Sequence, residues 1–285
     1  MPRHIKMTNP SHNRNVKIIR STHGLASLDL KELWDYRELL YFLIWRDVKL
    51  RYKQTALGAS WAIIQPFTMM IVFSIIFGGL AGLPSEDIPY PIFTYTALMP
   101  WAFFAGALGR SSDSVVGNSA LITRVYVPRL MVPLSGIIVG LFDFAIALII
   151  LVGLMAFYGI TPTIGILMLP IFLLMAMATA MSVGLWLSAI NTRFRDVRLG
   201  IPFLTQVWLF ATPVAYSGTL IPENWKILYS LNPMTTVVDG FRWALLGTNW
   251  QPDILMAISV IIVIITLISG AFYFQRMGKS FADVV

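Results

Sequence analysis

Few residues in this sequence could do chemistry, and most of them exclude more than they propose. Glu86 and Asp87 are the only adjacent carboxylates, and paired acids are what hydrolysis of a glycosidic bond requires. They stand between Pro84 and Pro89, a context that favours a solvated turn over a catalytic dyad. The three histidines, His4, His12 and His23, lie at spacings that match no metal motif, and cysteine is absent. Disulfides, thiolate metal sites and cysteine nucleophiles are therefore excluded. No G-x-x-x-x-G-K-[ST], H-E-x-x-H or G-x-S-x-G motif occurs, so a P-loop nucleotide site, a zincin centre and a serine-hydrolase elbow are excluded too.

One acid is placed unusually. Asp143 lies inside a long apolar run, where a charge costs about 2.5–3.5 kcal/mol on insertion scales, so it must face protein or water. Two readings stand side by side: a pore-lining or gating group, or a carboxyl hydrogen-bonded to a neighbouring helix. A single acid does not make a proton relay.

The elements that must carry these residues follow from composition. Of 285 residues 57% are hydrophobic and 12% charged, with a mean hydropathy of +0.73, whereas a soluble domain carries about 25% charged residues. Lipid must therefore solvate most of the surface. A hydrocarbon core about 30 Å thick needs about 20 helical residues, and six stretches approach that: 60–80, 92–108, 134–158, 164–190, 201–216 and 254–274. The expected fold is an all-α integral membrane protein with six transmembrane helices. The fifth stretch is short and bracketed by Pro202 and Pro213.

Charge orients the bundle. Of the 21 Lys and Arg residues, all but Lys226 and Arg242 fall on one side of such a six-span arrangement. The positive-inside rule then places both termini in the cytoplasm. Residues 1–28 form a basic tail expected to be flexible, and 277–285 a cytoplasmic C-terminal tail. Asp29 and Glu32 have the spacing of an N-terminal capping box. Behind them Leu30, Leu33, Trp34, Leu40, Tyr41, Ile44 and Val48 recur at helical spacing, opposite Lys31, Asp35, Glu38 and Arg46. That pattern predicts an amphipathic interface helix over 29–50.

Residues 217–253 are too polar for a continuous span. Two apolar pieces, 225–231 and 234–246, flank Asn232-Pro233 and predict a re-entrant helix pair before the last span, because proline breaks a helix. Gly136-x-x-x-Gly140, and Ala176, Ala180 and Gly184 at the same spacing, allow close helix approach. The 18 Phe, 10 Tyr and 9 Trp suit an interfacial belt, or a path on which sugar rings stack.

From Arg51-Tyr-Lys-Gln-Thr-Ala-Leu-Gly58, followed by Trp61 and Gln65-Pro66, the sequence resembles the permease subunits of type-two ABC exporters for polysaccharides, particularly O-antigen and polyol-phosphate polymers. The likeness continues through Leu121-Ile-Thr-Arg-Val-Tyr-Val-Pro128 and Arg195-Asp196. It ends at Asn232-Pro233-Met234 and Phe241-Arg242, and so covers roughly 29–276, a single transmembrane domain.

The resemblance implies a homodimer in the bacterial inner membrane that docks two separate ATP-binding subunits, with ATP and Mg held there. This chain would carry no cofactor, no metal and no catalytic residue, and would bind no nucleic acid. A lipid-linked polymer, O-antigen first, would thread a channel between the two copies. Teichoic acid or capsular polysaccharide are alternatives within the family; a membrane-embedded glycan-processing enzyme and an ion-coupled transporter are alternatives outside it. Arg46, Lys49, Arg51 and Lys53 are candidate contacts for a lipid pyrophosphate, or plain membrane anchors. Leu121, Arg124, Tyr126, Pro128 and Arg129 are candidates for coupling to the ATPase. Asp143, Trp208, Phe210, Trp225, Asn232, Pro233 and Arg242 are candidates for the channel or its gate.

Overall fold

The computed structural model describes residues 30–53 and 58–278, so the basic tail, the capping-box Asp29 and most of the C-terminal tail lie outside the described residues. Every regular element among the described residues is helical. Five helical runs are long and apolar enough to cross a bilayer: Ser60–Leu80, Tyr90–Gly117, Met131–Tyr158, Ile164–Arg193 and Ile254–Gly278.

Two short helices lead in, α1 (Leu30–Asp35) and α2 (Arg37–Lys53). This pair buries one side in protein. Leu33, Tyr36, Leu39, Leu40 and Leu43 pack on Val127, Met131 and Val132, while Trp34 and Tyr41 are 70% and 61% exposed. Phe42 and Trp45 are exposed as well. The segment is thus apolar on two faces, one against protein and one bearing aromatics outward, and a single-stripe reading merges them. A break at Tyr36 allows the change of face.

Helix α3 (Gly58–Phe73) contains Pro66 and continues as a π-helical stretch, Ser74–Leu80. Helix α4 (Tyr90–Gly117) is the axis of the molecule. It packs against α3, against α6 (Met131–Tyr158), and against α7 (Leu169–Arg193), which a 3-10 turn at Ile164–Met168 introduces. At 28 residues it is about 42 Å long, well beyond the expected 92–108, so Arg110 and Asp113 belong to the helix and not to a following loop. Small residues permit its burial. A Cβ on Gly184 of α7 would overlap Ser111, the close approach that the small-residue spacing predicted. Between α4 and α6 runs the short helix α5 (Ser119–Arg124).

Only part of the fifth expected span, 201–216, is helical. Helix α8 (Val197–Phe210) has 14 residues, about 21 Å, which is shorter than the hydrocarbon core. The chain then leaves helical geometry through 211–216, and Thr212, Val214 and Ala215 in that turn are buried. The two pieces expected around Asn232-Pro233 are helices α9 (Glu223–Ser230) and α10 (Pro233–Leu246). Every α10 residue except Trp243 is buried, and the helix rests on α4 and α7. Helix α11 (Ile254–Gly278) closes the bundle against α7.

Candidate functional site

Side chains that could act on a ligand gather at both ends of α4. At one end α2 crosses α6, and Asp143 is the meeting point. Arg51 Nη2 lies 2.9 Å from its Oδ2, and Arg110 Nη1 lies 3.9 Å from the same oxygen. The Tyr52 hydroxyl donates to Oδ1 at 2.7 Å. Burial and this bond push the Tyr52 phenol up to about 12, so it remains a neutral donor across the physiological range. Arg110 is held by donating Nε–H to the Gly136 carbonyl at 2.7 Å. It fits only because positions 136 and 140 lack side chains: a Cβ on Gly136 would stand 3.2 Å from Arg110 Cβ, and one on Gly140 would overlap the guanidinium. The Gly-x-x-x-Gly pair therefore makes room for a cation as well as for a backbone. Asp143 is the hydrogen-bonded carboxyl of the two sequence readings, and it also borders a cavity.

That cavity, about 490 Å³, opens between α3, α4, α6 and α8. Arg51, Arg110 and Asp143 form its polar end; Trp61, Trp101, Phe103, Phe144 and Leu209 form apolar wall. Gln65 and Pro66 of the recognised motif line it too. Of the other cations proposed for a lipid headgroup, Arg46 donates to Asn118 Oδ1 at 2.7 Å and to Asp47 at 2.8 Å. Lys49 lies over the Trp45 ring, 5.3 Å from its centroid, and Lys53 is exposed. These four residues follow one helix without converging on one point.

The coupling candidates form a second group beside α1. The Tyr126 hydroxyl donates to Glu32 Oε1 at 2.6 Å, and its ring lies 6.0 Å from Tyr36. That hydrogen bond, with burial, pushes the Tyr126 phenol up to about 12. Leu121 packs into the cluster with Val127, Pro128 is buried, and Arg124 and Arg129 are exposed. The segment is anchored by its apolar residues, and the Arg129 guanidinium lies beside Gly278 of α11.

At the far end of α4 the unwound turn 211–216 must satisfy carbonyls that a continuing helix would have bonded. Arg242, 1% exposed, does this. Its Nη1 donates to Pro213 O at 2.6 Å and Tyr216 O at 3.1 Å, Nη2 to Val214 O at 2.7 Å, and Nε to Phe93 O at 3.3 Å. The guanidinium carbon sits 3.7 Å from the Phe93 ring centroid, and Asp239 Oδ1 lies 3.8 Å from Nη1. The Tyr90 hydroxyl donates to the Ala215 carbonyl in the same turn.

Asn232 ties α10 to α8. Its Oδ1 accepts from Met234 N at 3.1 Å, as an N-cap does, and from Trp208 Nε1 at 2.9 Å; its Nδ2 donates to Thr212 Oγ1 at 2.9 Å. Pro233 occupies the first helical position, where its missing N–H costs nothing. Replacing Asn232 by Ala is expected to lower stability by about 1–2 kcal/mol, the usual effect of losing a cap, and to shift the emission of Trp208. Thermal unfolding with tryptophan fluorescence checks both.

Among the gate candidates, Trp208, Asn232, Pro233 and Arg242 thus come together, and Asp143 belongs to the opposite end. Phe210 and Trp225 are 54% and 55% exposed on α8 and α9 and join neither group. Glu86 and Asp87 both adopt left-handed backbone angles, φ 56° and 59°. Glu86 accepts from Ser217 Oγ at 2.6 Å and from Asn249 N at 3.0 Å, whereas Asp87 is exposed. Tyr52, Arg110 and Tyr90 were missed by the sequence reading, and Glu32 was read only as half of a capping box. Only Tyr52 carried a signal, its place inside the Arg51–Gly58 motif.

Comparison with known proteins adds to this geometry. The family described as ABC-2 type transporter matches residues 38–246. The O-antigen export system permease protein RfbA of Myxococcus xanthus is 28% identical over 261 residues, covering 90% of this chain and 98% of that relative. The protein of the same name from Klebsiella pneumoniae is 24% identical over 249 residues, 87% of this chain and 95% of its own length. The polysialic acid transport protein KpsM of Escherichia coli is 22% identical over 232 residues, 80% of this chain and 89% of its own.

Proposed function

The chain belongs to the ABC-2 type transporter family, and on that premise we propose that it is the membrane permease of an ATP-driven exporter of lipid-linked O-antigen polysaccharide. The observation that carries this reading is the match to the Myxococcus xanthus permease over 98% of its length. The protein is a multi-pass protein of the inner membrane, as five spanning helices and the family require. The likeness to KpsM supports capsular polysaccharide as the alternative cargo.

The finer arrangement follows from the same reading. The α1–α2 segment and both termini lie in the cytoplasm, where most Lys and Arg reside. Helix α8 and the turn 211–216 together make the sixth crossing, and α9–α10 form a re-entrant pair at the outer side. Two copies assemble around the channel. The apolar residues Phe203, Val207 and Phe210, all more than half exposed on α8, support a partner or lipid on that face. Two ATPase subunits dock against α1 and residues 118–133, and ATP is hydrolysed only there. The cavity beside Arg51, Arg110 and Asp143 admits the lipid pyrophosphate end of the cargo, with cations for the phosphates and aromatic wall for the sugars.

The test is reconstitution. Purified alone, the chain is expected to show no ATP hydrolysis. Co-expressed with its ATPase subunit it is expected to co-purify, and cells depleted of it are expected to retain lipid-linked polymer at the cytoplasmic face. ATP turnover by the isolated chain, or undiminished surface polysaccharide after depletion, refutes the reading.

A further inference from the structure

The last helix, α11, meets the 118–133 segment at one end and the α9–α10 pair at the other. Near its C-terminus Ala271 and Phe274 are buried in one cluster with Val115 of α4 and Leu185 and Ala189 of α7. Ile122 of α5 and Leu130 pack against that cluster. Ile122 also packs on the group that Leu43, Val127 and Met131 form with α1 and α2. One side chain of α5 therefore belongs to both groups. The Arg129 guanidinium reaches the last residue of α11, where a Cβ on Gly278 would stand 2.6 Å from Nη1. The free carbonyls of a helix C-terminus favour a cation there.

At the other end Ser259 of α11 holds three helices together, and it is fully buried. Its hydroxyl donates to the Ser230 carbonyl of α9 at 2.7 Å and lies 2.8 Å from Thr236 Oγ1 of α10. A hydroxyl has one proton to give, so Thr236 donates the second bond. Ser230 is the last residue of α9, where a carbonyl has no partner within its own helix. The two halves of the pair are seated differently. Helix α10 is buried against α4 and α7, whereas α9 packs on α11 and α10 and leaves Trp225, Ile227 and Leu228 more than half exposed. The position of α9 thus depends on α11.

Between its ends α11 is built to stay straight. It runs for 25 residues without a proline, whereas α3, α4 and α8 each contain one inside the helix, and proline is a common cause of bends. Its interior glycine serves a contact: a Cβ on Gly270 would stand 2.7 Å from the Ser182 carbonyl oxygen of α7. One turn on, Tyr273 stacks on Trp186 with ring centroids 4.3 Å apart and planes at 17°. Both contacts seat α11 on α7 without interrupting the helix.

We propose that α11 is a rod that carries displacement of the 118–133 segment to α9, engaged by Ile122 and Arg129 at one end and by Ser259 at the other. A rigid helix transmits movement when it is gripped at both ends. The proposal rests on the export reading, which places an ATPase subunit against residues 118–133. When ATP binding moves that segment, Ile122 presses on the Phe274 cluster, and Ser259, about 22 Å along the helix, moves α9. Helix α10 stays seated in the bundle, so the pair opens at Asn232-Pro233.

The chain contains no cysteine, so single labels can be placed without a background. Spin labels at Trp225→Cys on α9 and Phe157→Cys at the end of α6, both on exposed positions, report the distance between α9 and the bundle. The measurement uses the permease–ATPase complex in lipid nanodiscs, with labelled chain diluted by unlabelled chain. A non-hydrolysable ATP analogue is expected to shift this distance by several ångström. Ser259→Ala is expected to remove most of the shift and to lower polymer exported per ATP hydrolysed by about tenfold. Ile122→Ala is expected to act in the same direction from the other end. Val263→Ala, which opens a cavity on α11 between the two engagement points, is expected to lower the melting temperature while keeping the shift and the export ratio.

An unchanged distance in a complex that exports refutes the rod, as does a full shift in both Ser259→Ala and Ile122→Ala. Loss of the shift in Val263→Ala assigns the effect to stability and refutes it too. A full shift that both variants remove, in a complex that hydrolyses ATP but exports nothing, upholds the rod and refutes the export reading.

Discussion

Arg242→Met is expected to abolish recovery of folded protein. The side chain is almost completely buried, and its removal strands three carbonyl oxygens, those of Pro213, Val214 and Tyr216. It also leaves Asp239 as a buried charge without its counterion. Breaking a buried ion pair from one side costs about 3–5 kcal/mol, and each unsatisfied carbonyl adds about 1–3 kcal/mol. Folded proteins hold only about 5–15 kcal/mol in total.

Arg242→Lys is expected to fall between the two. A lysine keeps the charge but offers a point where the turn needs a planar fork. The check is the monodisperse yield after extraction, with limited proteolysis after Lys226 as a local probe. Adding Asp239→Leu to Arg242→Met is expected to recover part of the loss, since no lone charge then remains. A Met variant that melts at the parental temperature refutes the role given to the guanidinium.

Asp143→Ala has the second-largest expected effect, and its comparison with Arg51→Ala makes it diagnostic. Removing Asp143 leaves Arg110, three-quarters buried beside Gly136 and Gly140, without a counterion. The expected loss is about 3 kcal/mol, the lower end for uncompensated buried charges. Arg51 has 37% of its side chain exposed, so its truncation is expected to cost about 1 kcal/mol or less. Asp143→Asn, which still accepts from Tyr52, is expected to fall between them.

Because this carboxylate ion-pairs with both Arg51 of α2 and Arg110 of α4 from its place on α6, loss of export is expected to exceed loss of stability. Polymer transport in proteoliposomes is expected to drop at least tenfold while the ATPase continues to turn over. If Arg51→Ala and Asp143→Ala destabilise equally, the assigned burial order is wrong.

These two residues also mark how far the sequence could be read. Long apolar runs and the Asn232-Pro233 break announce helices, because hydropathy and backbone chemistry are local. The end of α8 does not announce itself. Pro213 shows that a helix stops near there, but the turn survives in the interior only because Arg242, 29 residues later, reaches its carbonyls. Asp143 was legible as an anomaly in an apolar run, yet its partners at 51, 52 and 110 are set by helix packing and leave no spacing to find. Arg110 was hidden further by the apparent end of the second span, since charged and hydroxyl residues in an enclosed helix look like those of a loop. The protein-facing side of the α1–α2 pair was illegible for a related reason. A segment that buries one face in protein and presents aromatics on the other has no single stripe to detect.

The enclosure of α4 bears on how the protein is made. Of its apolar stretch 78% is buried in the finished fold, against 33% or less in each of the other four spans. It carries Arg110, Ser111, Ser112, Asp113 and Ser114 near its end. During synthesis this helix leaves the ribosome before α6 and α7, the two helices that enclose it. This enclosure of α4 is therefore completed only when residue 193 has been made, because α7 supplies its last wall.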